Sequence, residues 1–251
     1  MSFHSCCLQG VKWDATPQGR EENQGNQKYY VIGSNPHVAI MVIHDLYGWT
    51  FNNIRLLADQ YADEVGATVY VPDFFGGTVL PADLIDNPAD WVKLDLPNFM
   101  ARNAKDVRKP EMIAFSQFLR SQHRRVGAIG FCYGGWAVFQ LGAKTTDGSP
   151  PLVDCISTAH PTFLTNEEIS NVGVPVQICA PEVDPQFTAE LKAYTLAEIP
   201  KLGVPFEYQY FPGLVHGFAV KGNREDAAEM KGLQRAMRAA VGWFREWLVA
   251  A

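Results

Sequence analysis

A cysteine flanked by glycines constrains this chain more than any other feature. Residues 126–130 form a short apolar run that ends in Gly130, and a second apolar run begins at Gly134, so that Cys132 lies at the centre of the junction. Where a strand turns directly into a helix, the backbones approach so closely that a Cβ atom two residues before or after the apex would collide with them. The spacing therefore predicts a buried strand, a strained turn at Cys132 and a helix that begins near Gly134.

Short apolar runs alternate with longer amphipathic runs along most of the chain. The short runs are mostly β-branched or aromatic, as in buried parallel strands; they predict strands at Val38–Ile43, Ala67–Val71, Val126–Gly130, Asp154–Thr158, Pro175–Ala180 and Phe206–Phe211. The longer runs place apolar residues three and four positions apart; they predict helices at Asn52–Glu64, Pro110–Gln122, Gly134–Lys144, Thr188–Ile199 and Arg224–Leu248. This alternation predicts an α/β fold with a mostly parallel central sheet and helices on both faces. We expect residues 1–251 to form a single domain.

Two regions depart from the alternation. Residues 1–28 are polar and irregular, and we interpret them as an N-terminal extension or an edge region. Residues 73–109 are rich in proline and aromatic residues and follow a predicted strand. In α/β enzymes, a long loop in such a position often forms a lid or a wall of the pocket. A structural insertion that covers the edge of the sheet explains the second region equally well.

The composition excludes several classes of function. The 251 residues are 47% hydrophobic and 19% charged, which is typical of a globular protein. The net charge is −6 and no run of Lys and Arg occurs, so the chain lacks the basic surface that nucleic-acid binding requires. Its apolar runs are far shorter than the roughly 20 residues of a membrane-spanning helix. We therefore expect neither a nucleic acid nor a membrane as partner.

The cysteines indicate a reducing environment. The chain has five, an odd number, and Cys155 and Cys179 lie inside apolar runs, where a reduced thiol acts as a small hydrophobic residue. The first residues lack the apolar centre of a signal peptide. These features predict a cytoplasmic protein with reduced thiols, and we expect a monomer or a homodimer.

The junction at Cys132 has the features of a nucleophile elbow, the strand–turn–helix unit that carries the nucleophile of α/β-hydrolase-fold enzymes. A helix that begins beside the cysteine directs its positive end at the sulfur, which lowers the pKa of the thiol and favours the thiolate. Alternatively, Cys132 is a small buried residue between two structural glycines. The strand before it and the helix after it favour the catalytic interpretation.

Hydrolases of this fold carry the nucleophile, the acid and the base in that order along the chain. Of the two histidines after Cys132, His216 follows the last predicted strand, where open α/β sheets collect functional groups, and we predict that it is the base. His160 follows an earlier strand and ranks second, with a role in lining the pocket. For the acid, Asp184 is preferred to Glu182 because the proline after it fixes the turn.

Residues 44–49 follow the strand predicted at Val38–Ile43 and are expected to supply part of an oxyanion hole. We predict that the backbone N–H groups of Leu46 and Tyr133 hold the developing negative charge. Asp45 is unusual here, because a carboxylate beside a thiol opposes formation of the thiolate. It is either an acceptor of the thiol proton or a polar residue of the loop.

Seven further side chains are candidates for the wall of a substrate pocket, since they are aromatic or polar and adjoin the predicted catalytic segments. They are Tyr47, Trp49, Phe74, Phe75, Trp136, His160 and Phe218.

Together these segments resemble the dienelactone hydrolase family of α/β-hydrolases, and in particular its fungal members. The resemblance covers the chain from about residue 30 onward and rests on residues 43–48, 71–75, 130–135 and 216–218 and on the loop that carries Asp184. It implies a triad of Cys132, Asp184 and His216 that opens lactones or enol esters through a thioester, with neither a metal nor an organic cofactor. It also implies that Asp45 occupies the position where bacterial members use a glutamate to receive the thiol proton.

One departure from the bacterial members concerns the substrate. Those enzymes hold a substrate carboxylate with arginines, one of them four residues after the triad histidine. That position is Val220 here, with Lys221 next to it. The resemblance therefore implies the type of reaction rather than the dienelactone itself as substrate.

We expect a thiol hydrolase that acts on a small lactone, an enol ester or another activated ester or anhydride. Three alternatives remain: an acyltransferase or cyclase of secondary metabolism with the same triad, a non-catalytic protein that binds a small ligand, and a redox-sensing thiol. The last is disfavoured because no second cysteine lies near Cys132 in the sequence.

Overall fold

An eight-stranded sheet forms the centre of the molecule in a computed structural model that describes residues 5–85, 87–145 and 149–250. The strands are β1 (Arg20–Gln24), β2 (Gln27–Ile32), β3 (Val38–Ile43), β4 (Thr68–Pro72), β5 (Arg125–Phe131), β6 (Cys155–Ala159), β7 (Val176–Val183) and β8 (Phe206–Val215). They follow the order β1-β2-β4-β3-β5-β6-β7-β8 across the sheet.

The sheet is parallel from β4 to β8 and antiparallel at the edge formed by β1 and β2. Its register pairs Ile43 with Gly130 and Phe131 with Ala159. The carboxyl ends of β3, β5 and β6 therefore meet at one edge, and the loops that follow these strands converge there.

Within the described residues, six α-helices lie between strands and two follow the last strand. They are α1 (Asn52–Val65), α2 (Leu96–Arg102), α3 (Lys105–Gln122), α4 (Gly134–Leu141), α5 (Asn166–Ser170), α6 (Ala189–Glu198), α7 (Phe218–Lys221) and α8 (Ala227–Phe244), which continues as a π-helical turn over Arg245–Val249. Helix α1 packs against α7 and α8, whereas α3, α4, α5 and α6 pack in succession as a second layer. The predicted α/β class and its mostly parallel sheet are confirmed.

The apolar pattern of the sequence accounts for this packing. All six residues of β3 are buried, as expected for a strand covered on both faces. In α1 the residues spaced three and four apart, among them Ile54, Leu57 and Tyr61, are buried, and the helix ends at Gly66 with a φ of 72°.

The boundaries differ from the predictions at several helices. Helix α3 begins at Lys105, whereas the sequence predicted a start at Pro110; that proline lies inside the helix. Pro110 has no N–H group, so the carbonyl of Asp106 lacks its hydrogen-bond partner within the helix. The helix tolerates this loss because Asp106 is exposed to solvent. Helix α8 begins at Ala227 rather than Arg224, because the Asp226 side chain accepts hydrogen bonds from two backbone N–H groups of the first turn.

Residues 73–109 are partly ordered into helical turns. Phe74 and Phe75 are fully buried, and the chain then forms two 3₁₀ turns, at Ala82–Ile85 and Pro88–Lys93. In α2, Phe99 packs edge-on against the Phe75 ring at a centroid distance of 5.0 Å. Among the described residues, no helix has the length and apolarity needed to cross a bilayer.

Candidate active site

The turn between β5 and α4 has the predicted strain. Cys132 has a φ of 49°, in the left-handed region that non-glycine residues seldom adopt. A Cβ atom on Gly130 would lie 2.1 Å from the carbonyl oxygen of Gly134, and one on Gly134 would lie 2.2 Å from the carbonyl oxygen of Ile43. Only glycine fits at these two positions, and their close approach holds Cys132 at the apex of the turn.

Asp184 and His216 form a hydrogen-bonded pair at the carboxyl ends of β7 and β8. Nδ1 of His216 lies 2.9 Å and 3.0 Å from the two carboxylate oxygens of Asp184, and both side chains are fully buried. The carboxylate is itself held by the backbone N–H groups of Gln186 and Phe187, at 2.8 Å and 3.0 Å. This arrangement fixes the imidazole ring and directs Nε2 away from Asp184.

Cys132 has no exposed surface, and its sulfur lies 3.3 Å from the hydroxyl oxygen of Thr162. Burial raises the pKa of the Cys132 thiol well above its usual value, so the resting group is a neutral thiol. Burial lowers the pKa of His216, but a negative charge on Cys132 and the hydrogen bond to Asp184 raise it more, to about 9. The imidazolium is thus favoured once the thiol has ionised.

A segment near the N-terminus, residues 5–13, closes this site; we call it the N-terminal cover. The sulfur of Cys7 lies 3.7 Å from Nε2 of His216. The sequence does not predict this contact, because Cys7 and His216 are 209 residues apart. A second thiol thus lies at the site although no other cysteine is near Cys132 in the sequence. The adjacent cysteines Cys6 and Cys7 were the available signal.

Side chains of the loop after β3 and of α1 hold the cover in place. The hydroxyl of Tyr47 donates to the Leu8 carbonyl at 2.8 Å. The side chain of Asn53 accepts from the Trp13 N–H and donates to the Val11 carbonyl, both at 2.8 Å. These bonds satisfy the backbone of a segment that has almost no regular secondary structure.

Asp45 is engaged in a buried ion pair. Nζ of Lys221 lies 2.6 Å from one of its carboxylate oxygens and 3.1 Å from the carbonyl oxygen of Cys7. The other carboxylate oxygen accepts from the Tyr47 N–H at 3.0 Å. Both oxygens of Asp45 therefore have partners while the cover is closed, and Lys221 joins the cover to the loop after β3. Sequence analysis had noted Lys221 only as a neighbour of Val220.

The two predicted oxyanion donors lie at the expected loop ends and are unpaired. No described residue accepts a hydrogen bond from the backbone N–H of Leu46 or Tyr133, although both residues are buried. Tyr133 immediately precedes α4, whose N-terminal end carries a partial positive charge. Two unpaired N–H groups in a buried site are the donors that a developing oxyanion requires.

His44 positions the loop that carries Asp45, a role that sequence analysis did not predict. Its Nδ1 donates to the Asp45 carbonyl at 2.9 Å and its Nε2 accepts from the Phe74 N–H at 3.2 Å. Burial lowers the pKa of His44, in agreement with a neutral ring that has one donor and one acceptor.

The seven pocket candidates lie in several different surroundings. Phe75 and Trp136 pack edge-on against Tyr133, at centroid distances of 4.9 Å and 5.6 Å. His160, with a φ of 42°, lies 4.9 Å from the His216 ring, and no described residue hydrogen-bonds to either of its ring nitrogens. Four others complete the description: Phe218 contacts His160, Tyr47 lies under the cover, Phe74 packs on Phe115 of α3, and Trp49 stacks with Arg55.

A surface cleft of about 660 Å³ lies apart from these residues, between the β1–β2 edge and α3. Its lining includes Gln27, Asp73, Glu111 and Phe118, and none of the predicted site residues contributes to it. Cys132, Asp184 and His216 therefore lie outside this cleft.

The strand order, the strained turn at Cys132 and the acid–imidazole pair at the same edge define an enzyme of the α/β-hydrolase fold. The family model for the dienelactone hydrolase family matches residues 27–248, and the chain belongs to that family. It is therefore a carboxylic ester hydrolase, as the resemblance implied.

Three relatives show the range of similarity. The chain is 25% identical to hydrolase tropI of Talaromyces stipitatus and 27% identical to hydrolase pyvD of Aspergillus violaceofuscus, with 97% of this chain and 96% of each relative covered. It is 30% identical to a human carboxymethylenebutenolidase homolog, over 92% of this chain and 91% of that protein. A solved dienelactone hydrolase from Anabaena variabilis has the same fold, with a TM-score of 0.63, 15% identity and coverage of 92% of this chain and 99% of that one.

Proposed function

We propose that the chain hydrolyses a small activated ester, such as an enol lactone or a cyclic anhydride, with Cys132 as nucleophile, His216 as base and Asp184 as the acid that orients it. The observation that carries the proposal is the strained turn that presents Cys132 beside an imidazole whose Nδ1 is fixed by a buried carboxylate. Asp184 keeps the proton on Nδ1, which leaves Nε2 free of a proton and able to accept one.

In the first half of the cycle, the Cys132 sulfur attacks the carbonyl carbon while its proton passes to Nε2 of His216. The new S–C bond places a negative charge on the carbonyl oxygen, and the N–H groups of Leu46 and Tyr133 stabilise it. Collapse of this intermediate breaks the C–O bond, and the leaving oxygen takes the proton from His216. Water then attacks the carbonyl carbon of the thioester and gives a proton to His216. Collapse of this second intermediate breaks the C–S bond and releases the carboxylic acid, and the sulfur takes the proton back from His216.

Asp45 remains a candidate acceptor of the thiol proton. It can serve in this way only after its carboxylate separates from Lys221, because both of its oxygens have partners in the closed site. We assign the proton to His216 in the cycle above for that reason.

The choice of an activated substrate follows from the leaving groups. A thiol has a pKa of about 8.5 and is expelled more readily than an alkoxide, so an alkyl ester would mostly return to starting material. An enolate or a carboxylate leaves more easily than an alkoxide and drives the intermediate forward.

A second candidate is acyl transfer or cyclisation with the same residues. The observation that favours it is the closure of the site, since Cys132 is fully buried beneath the cover and His216 is almost so. A thioester formed in a site without water survives until a second nucleophile of the substrate reaches it.

The proposal would be tested by comparing the wild type with Cys132→Ala and Cys155→Ala. Each protein would be supplied separately with enol lactones, aryl esters and cyclic anhydrides. Intact mass would detect an acyl adduct, and product analysis would separate hydrolysis from transfer. Cys155→Ala is the matched control, since it also removes a buried thiol, from β6. We expect turnover and an adduct for wild type and control and neither for Cys132→Ala; equal activity of Cys132→Ala would refute the assignment.

A further inference from the structure

The thiols of the N-terminal cover and the imidazole beneath them are spaced as metal ligands are. The sulfurs of Cys6 and Cys7 and a ring nitrogen of His216 all lie within 4.8 Å of one another. With Zn–S bonds of about 2.3 Å and Zn–N bonds of about 2.0 Å, a tetrahedral zinc site separates a sulfur from a nitrogen by about 3.5 Å. The observed separation of 3.7 Å between the Cys7 sulfur and Nε2 of His216 is close to this value.

The surroundings of His216 suit a metal ligand. Its Nδ1 is hydrogen-bonded to the Asp184 carboxylate, which leaves Nε2 as the ligand atom. A carboxylate behind a coordinating imidazole is the usual outer partner of a zinc site, because it fixes the ring and makes Nε2 more basic.

We propose that Cys6, Cys7 and His216 bind one Zn²⁺ ion when the N-terminal cover is closed. Two sulfurs and one imidazole nitrogen supply three of the four ligands of a tetrahedral zinc site, and water would take the fourth position. The site is therefore inhibitory, and this last point rests on the proposed function, because the ion would occupy the basic nitrogen of His216.

Charge and proton balance are consistent with this set. Coordination converts two thiols to thiolates and releases about two protons to solvent. Two thiolates balance the charge of Zn²⁺, so the occupied site carries no net charge. We expect the affinity to rise steeply with pH because the bound thiols must lose their protons.

Titration of the reduced, untagged full-length chain with Zn²⁺ against a chromophoric chelator would measure the affinity. Co²⁺ would serve as the spectroscopic probe, since thiolate-to-cobalt absorption increases with the number of bound sulfurs. We expect one ion per chain, loss of hydrolytic activity with zinc and its recovery after chelation. Cys6→Ala and Cys7→Ala would each weaken binding by at least about 100-fold, more than the loss of an outer-shell partner, and would lower the cobalt–thiolate absorption.

Cys155→Ala is the matched control and is expected to keep the affinity and spectrum of the wild type. A wild-type chain without cobalt–thiolate absorption would overturn the proposal, and so would a Cys7→Ala spectrum equal to that of the wild type. The wild-type spectrum alone decides the matter if a variant does not fold. If metal-free wild type is inactive on every ester while cobalt binds through the sulfurs of Cys6 and Cys7, the proposed function fails and the metal site stands.

Discussion

The turn at Cys132 and the N-terminal cover both border the candidate active site, yet they are built in opposite ways. The turn is determined by close backbone approach, with Gly130 and Gly134 packed against neighbouring carbonyls. The cover is held by side-chain hydrogen bonds from distant residues, such as Tyr47 and Asn53. We infer that the turn is lost only when the whole protein unfolds, whereas the cover can open by itself. The four predictions that follow test this contrast, beginning with the largest effect.

The largest effect is expected from Asp184→Asn, on the rigid side of the site. The asparagine oxygen can keep the hydrogen bonds from Gln186 and Phe187, so its amide group would face Nδ1 of His216 and force the proton onto Nε2. We expect kcat/KM to fall on the order of 10⁴-fold with little change in stability. Asp154→Asn is the matched control, since Asp154 pairs with Arg120 instead. A loss of less than about tenfold in steady-state kinetics would show that the orientation of His216 does not matter.

Gly130→Ala tests the backbone contact of the turn directly. Its new Cβ would lie 2.1 Å from the Gly134 carbonyl oxygen, which cannot move without shifting α4. We expect the free energy of unfolding in urea to fall by at least about 3 kcal/mol. Gly242→Ala is the control: Gly242 is exposed in α8 with open space at its Cβ position, so it should gain roughly 0.5–1 kcal/mol. Equal effects at the two glycines would contradict this account of the turn.

Asn53→Ala tests whether the cover opens by itself. The change removes three hydrogen bonds, to Val11, Trp13 and Val220, at a cost of about 2–3 kcal/mol. If that cost falls on closure of the cover, alkylation of Cys132 by iodoacetamide should accelerate about 30- to 140-fold, at tenfold per 1.4 kcal/mol. Gln60→Ala, on the exposed side of the same helix, should leave the rate unchanged. Lower global stability with an unchanged alkylation rate would show that cover and core unfold together.

The smallest effect concerns alkaline pH. Burial raises the folded-state pKa of Cys155 well above that of an unfolded thiol, about 8.5. The stability gained by keeping this thiol neutral is fully present below about pH 8.5. As the pH rises above this value, the free energy of unfolding falls by about 1.4 kcal/mol per pH unit, because the thiol ionises in the unfolded state. Cys155→Ala should therefore flatten the pH dependence of urea unfolding above pH 8.5. Cys7→Ala should flatten it less, although the pKa of Cys7 is raised to about 12, because an open cover lets Cys7 ionise without unfolding.

What could be read from the sequence follows the same division. The positions of Cys132, Asp184 and His216 at strand ends depend on local patterns, namely glycine spacing, strand ends and chain order, and the structure brings the three together. The cover depends on pairs such as Cys7 with His216 and Tyr47 with Leu8, and no local pattern encodes contacts between such distant residues. Short apolar segments without periodicity leave no signal of where they will pack.

Full burial of Cys132 also has a consequence for affinity. A substrate can bind only to molecules whose cover is displaced, so its apparent dissociation constant equals the intrinsic one divided by the fraction of open molecules. At about one open molecule in a hundred, a ligand would appear about 100-fold weaker than its contacts alone would make it. Residues such as Asn53, which never touch the substrate, would then set the concentration range over which the enzyme responds.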